Sequence, residues 1–266
     1  MSFLKKALGA VGVGAAAVDT IIDAQGVCRD ACVRGRVIIT GGMAQQTIKT
    51  LEIAHCCNYQ QVLSSETSEG ETTSQRVSEV CELSRFCIAE NFVIGEGEVK
   101  AFPFELPLHI STPLTIGKTE NWLETDLDID FSLDKNDRDI FSVLPDALSG
   151  AFFNTLETLG FSLTEVACET SSQADIDVPF VQTFEMKPTT GDYHSKLDEV
   201  AFFFVVDSTG VDVFLEIDRR GRGILGIIAD VLDTDETRLQ LRITPDGVNA
   251  LDDVVDHLLA ETTARY

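Results

Sequence analysis

"FPFELPLHI", residues 102 to 110, alternates two kinds of side chain without a break. Phe102, Phe104, Leu106, Leu108 and Ile110 take every second position, with Pro103, Glu105, Pro107 and His109 between them. Successive side chains of a strand point to opposite faces, so the spacing expects a half-buried β-strand. The two prolines have no N–H to give to a ladder, which places the strand on a sheet edge or at a bend.

The same period governs both halves of the chain. Leu123, Thr125, Leu127, Ile129, Phe131 and Leu133 alternate with Trp122, Glu124, Asp126, Asp128 and Asp130. Phe202 to Val206 run into Asp207-Ser208-Thr209-Gly210, after which Val211, Val213, Leu215 and Ile217 alternate, the pattern of a hairpin. Leu239, Leu241 and Ile243 mark a last strand. Short alternating strands on both sides of residue 135 expect an all-β chain of two tandem antiparallel β-sandwiches, not the strand-helix alternation of a parallel sheet.

Two stretches read as helices. Pro145, Ala147, Leu148, Ala151, Phe152, Thr155, Leu156 and Leu159 keep helical spacing, with Pro near the start and Gly160 just past the end. Asp246 is placed to cap a second, acidic helix whose Val248, Leu251, Val254, Val255, Leu258 and Leu259 form one apolar stripe. The charged run Asp134 to Asp139 has no large apolar side chain and is expected as the linker. The expected organisation is a first sandwich over 1–130 with a short N-terminal helix, a linker over 131–142, a second sandwich over 143–245, and an acidic helix and tail over 246–266.

With 44 acidic residues against 20 Lys and Arg, the formal charge is −24, a field that repels phosphate backbones and anionic lipid surfaces. Nucleic acid is therefore not expected as a partner. Lys5-Lys6 and the Gly- and Ala-rich run after them imitate a secretory signal. The run holds too few large apolar side chains for one, and it is far short of the roughly 20 that span a bilayer. The expectation is a cytoplasmic protein without an integral membrane segment.

Several fragments, in order along the chain, resemble the bacterial sporulation-control family, SpoOM, which belongs with the arrestin-like proteins. They are "SFLKKALGAVGVGAAAVDT", "VRGRVIITGG", "FPFELPLHISTPLTIG", "LDIDFSLDKNDRDIF", "ALSGAFFNTLETLGF" and "DVFLEIDRRGRGILGIIADVLDTDETRLQL". The resemblance implies two arrestin-like sandwiches, the first ending near residue 130, and a regulatory or scaffolding role without known catalysis.

The sites open to chemistry are few. Cys28, Cys32, Cys56, Cys57, Cys81, Cys87 and Cys168 are odd in number and lack the paired C-x2-C spacing of a zinc site, so reduced, buried thiols are expected and no metal. An EF-hand starting at Asp134 would need an oxygen ligand at 138, Gly at 139 and Glu at 145, where the chain has Arg138, Asp139 and Pro145. His55 and Cys56 are adjacent in a strand and point to opposite faces, so they cannot form a dyad. No cofactor-binding motif is present, and no enzyme activity is expected.

The remaining candidates are charges. Arg219, Arg220 and Arg222 sit among acids after the hairpin strand. They are read as a local salt-bridge patch, as a guanidinium grip on Asp137 or Asp139, or as a dock for an acidic partner. With Arg138, these residues form the expected contact set. The leading reading is a non-catalytic adaptor that binds protein partners through sheet edges. The alternatives are a carbohydrate-binding sandwich, for which Trp122 is the one Trp available, and a structural homo-oligomer joined through the stripe Leu251, Val254, Val255 and Leu258.

Overall fold

The computed structural model describes residues 15–66, 72–130, 135–171, 177–218 and 238–264. The expected N-terminal helix lies outside them. The chain forms two compact units. Unit 1 comprises residues 1–57, 82–112 and 120–144, and unit 2 comprises 58–81, 113–119 and 145–266.

Unit 1 is built from β1 (Ala17–Ile22), β2 (Gly26–Cys28), β3 (Cys32–Thr40), β6 (Val99–Pro107), β7 (Asn121–Ile129) and β8 (Lys135–Leu144). It also takes in parts of two long strands, β4 (Gln46–Glu66) and β5 (Thr72–Ile94). One sheet has the order β1-β3-β6 and is antiparallel. In the other, β4 pairs β5 and β7, β7 pairs β8, and β2 joins β8 in parallel. Val37 and Ile39 from the first sheet meet Ile48, Leu51, Leu127 and Ile129 from the second, with Phe102 and Phe104 packed against them. These side chains form one apolar core between the two sheets. β6 lies at the end of its sheet, as its prolines require.

The linker expected over 131–142 is largely strand. Lys135–Leu144 pairs with β7 from Asn121↔Phe141 to Leu127↔Lys135. Its exposure alternates, with Asp137, Asp139, Phe141 and Val143 turned inward. Charged residues tolerate a strand here because the pairing strand supplies the ladder and apolar contact is needed only near its end. The unit boundary falls after Leu144, and residues 58–81 and 113–119 belong to unit 2 instead of the first domain.

Unit 2 contains an antiparallel sheet of β9 (Phe161–Thr170), β10 (Phe180–Pro188), β11 (Glu199–Asp207), β12 (Gly210–Asp218) and β13 (Arg238–Ile243) in that order. The expected hairpin turns at Ser208-Thr209, where Asp207 accepts the N–H groups of Thr209 and Gly210. α1 (Ala147–Thr158) is capped by Asp146, whose carboxylate accepts from the N–H groups of Leu148 and Ser149. Phe152 and Phe153 of α1 make ring contacts with Phe184 and Phe202 of the sheet at 5.0–5.5 Å. The helix stops at Gly160, whose φ of +91° closes it in the left-handed region.

α2 (Leu251–Ala264) follows a 3-10 turn over Val248–Ala250. The turn begins at Gly247 without a side-chain cap, so Asp246 is not the cap expected of it. Leu251, Val255 and Leu259 are buried within the same chain, and Val254 is exposed. Asp252 accepts from Thr155 of α1, and Tyr193 donates to Asp256 at 2.6 Å.

Candidate functional site

A cavity of about 320 Å³ in unit 2 is lined by six consecutive residues of β9, Thr164 to Glu169. Neighbouring side chains of a strand point to opposite faces, so a cavity touching six in a row runs along the strand's edge. The pairing agrees. β9 is laddered to β10 on one side from Phe161 to Thr170. On its other side the described residues supply a single parallel pair, Gln60↔Glu169.

The walls come from distant segments. Asn58, Tyr59 and Gln60 belong to β4, Arg76 to β5, and Gly117, Lys118 and Thr119 to the loop before β7. The loop is tied to the sheet by Gln182, whose Oε1 accepts from Leu114 N–H at 2.7 Å and whose Nε2 donates to Leu114 O at 2.8 Å. Asn58 Nδ2 donates to Lys118 O at 3.0 Å. Gly117, at φ +69°, carries the loop past Val166, and a Cβ there would lie 3.5 Å from the Val166 side chain.

β9 is irregular where the groove opens. The register passes from Glu185↔Glu165 to Met186↔Leu163, which leaves Thr164 as the extra residue of a β-bulge. Bulges bend a strand and re-aim its side chains. Thr164 Oγ1 donates to Glu185 O at 3.2 Å, and Glu165 is left exposed on the rim.

At the other end, Arg76 Nε donates to Glu169 Oε1 at 2.8 Å. The carboxylate is 4% exposed and the guanidinium 56%, so the pair screens a buried charge from one solvent-facing side. Burial pushes the Cys168 thiol up, with Cys81 and Glu169 adding to it. Cys168 is thus held as an unreactive thiol in the wall. The lining carries both signs of charge. Arg76 and Glu169 satisfy one another, whereas Lys118 and Glu165 have no ion pair among the described residues.

The charges singled out from sequence sit elsewhere or lie outside view. Asp137 Oδ2 accepts the Thr20 N–H at 2.7 Å, and its Oδ1 accepts from Arg138 N at 3.1 Å. Arg138 lays its guanidinium 3.8 Å from the Trp122 ring centroid and pairs with Glu120 at 3.5 Å. Asp139 is half-buried on the inward side of β8. Arg219, Arg220 and Arg222 lie outside the described residues, and so does any grip they make.

Trp122 is 2% exposed, covered in part by that guanidinium, so a carbohydrate cannot stack on it. All seven cysteines are free, but only Cys56, Cys57 and Cys168 are buried, while Cys28 and Cys87 are exposed. Alternation turns some of them outward, which corrects the expectation of buried thiols. His55 is buried and bonds Asn121 Oδ1 through Nε2 at 3.0 Å, whereas the Cys56 thiol faces Glu124. Among the described residues no cluster of three or more His, Cys, Asp or Glu is placed to hold a metal. Among them, too, no helix is long and apolar enough to cross a membrane.

The family model described as SpoOM protein matches residues 4–221. The chain belongs to the SpoOM family. It is 32% identical over 262 residues to the sporulation-control protein spo0M of Bacillus subtilis (strain 168), covering 97% of this chain and 98% of that protein. The crystal structure of Spo0M, the sporulation control protein from Bacillus subtilis, superposes with a TM-score of 0.80 at 30% identity, over 94% of this chain and 99% of that one.

In this SpoOM chain no single segment of sequence marks the groove residues. Phe161 to Thr170 has broken alternation, and "GKTE" at 117–120 reads as an ordinary turn. The one local signal is Arg76, an isolated cation in a polar stretch.

Proposed function

We propose that this SpoOM chain is a non-catalytic, arrestin-like adaptor of the bacterial cytoplasm, acting in developmental, stress or cell-division control by binding segments of partner proteins. The observation that supports this reading is the β9 edge: six consecutive residues line a groove, and on that side those from Thr164 to Cys168 have no ladder partner among the described residues. Backbone N–H and C=O groups on such an edge are the template for an added strand. The β6 edge is a poorer template, since Pro103 and Pro107 remove two donors from it. A family named for sporulation control is consistent with a regulatory role.

The test is photo-crosslinking in the host. A photoreactive amino acid at Thr164 is expected to yield discrete protein adducts, and one at exposed Val254 on α2 is not. Identical adduct patterns at the two positions, or none at Thr164, would overturn the reading.

A further inference from the structure

We infer that the occupant of the groove is an extended segment of a partner protein, added as a strand to β9, carrying an acidic side chain opposite Lys118 and a basic one opposite Glu165. The inference rests on the reading of this groove as a protein-binding edge and specifies what it recognises.

Three observations carry it. The cavity follows the edge of a strand, and the ligand shape that matches a row of alternating backbone donors and acceptors is another extended backbone. The walls are mixed, with polar groups of Asn58, Gln60, Thr119 and Thr164 beside the apolar surface of Tyr59, Val166 and Ala167, a lining that suits a peptide backbone with its side chains. The two lining charges without an ion pair, Lys118 and Glu165, have opposite signs. A polyanion would meet Glu165 and a polycation Lys118, each as a like charge. A segment bearing one charge of each sign meets both favourably, which fixes register as well as affinity. Arg76 adds little net charge to this selection, because Glu169 pairs with it at 2.8 Å.

The experiment uses the full chain and a displayed library of random peptides. Peptides selected on the wild-type protein are expected to slow amide exchange in residues 161–167 and to share one acidic and one basic residue at a constant spacing. Both Lys118 and Glu165 are exposed, so exchanging their charges in the double variant Lys118→Glu, Glu165→Lys leaves the fold and net charge intact. The exchange is expected to weaken the wild-type peptides by roughly tenfold and to select peptides with the two charges in reverse order. Peptides that protect 161–167 but show no charge pattern, or bind the double variant equally, would overturn the charge assignment while leaving the binding edge intact. Selected peptides that protect other residues, or no selection at all, would overturn both.

Discussion

The backbone N–H of Thr20 donates to the carboxylate of Asp137 at 2.7 Å, from β1 in one sheet of unit 1 to β8 in the other. Thr20 is buried, and its hydroxyl also meets the Thr125 hydroxyl at 2.7 Å. Asp137 therefore closes the β1 edge of the sandwich. Burial and the nearby Asp137 charge raise the Asp19 carboxyl, which is the cost of placing the clip there.

Asp137→Ala is expected to destabilise unit 1 by about 1–2 kcal/mol, because a buried N–H loses a charged acceptor. Exchange of the Thr20 amide should accelerate more than that of Val37 opposite it. Unchanged exchange at Thr20 would show that the clip carries no load.

Burial pushes the His55 imidazole down to about 4, against a weaker upward pull from its bond to Asn121. The unfolded chain takes up a proton near pH 6.5, where the folded chain does not. The unfolded state thus binds more protons between about pH 6.5 and 4, and stability falls as pH falls through that window. The loss attributable to His55 is of order 3 kcal/mol by pH 4. Urea denaturation of the wild type and of His55→Gln at pH 7 and pH 4.5 isolates it from the carboxylates. The variant should lose less on acidification, and parallel losses would refute the assignment.

Removing the Arg76 side chain by Arg76→Met leaves Glu169 buried without its partner. The expected loss is about 1–2 kcal/mol, kept small because the guanidinium faces solvent. The double variant Arg76→Met, Glu169→Leu should recover most of it, since an apolar pair has no charge to desolvate. A double variant no more stable than the single would contradict this account of the pair.

Gly160→Ala places a methyl group 2.3 Å from Thr190 O at a φ of +91°. A loss of about 1–3 kcal/mol is expected in denaturant melts, with fraying confined to the end of α1. A neutral substitution would mean that the turn rearranges without strain.

Local chemistry in the sequence was enough for the elements whose period and punctuation are self-contained. The alternation from Phe102 to Leu106 and the prolines beside it place β6 on an edge, because a missing N–H is a property of the residue itself. Asp207 to Gly210 make the hairpin turn, and Pro145 and Gly160 bracket α1, for the same reason. Pairing decided the rest. The charged run from Lys135 becomes a strand because β7 lies beside it, Trp122 is covered because it clusters with Ala54 and Cys56 and Arg138 of the neighbouring strand reaches over it, and Asp137 finds its acceptor role more than a hundred residues away. The groove joins residues 58–60, 76, 117–119 and 164–169. No window of sequence contains them together, since which strand edge is left unpaired is set by long-range register and not by the propensity of any one segment.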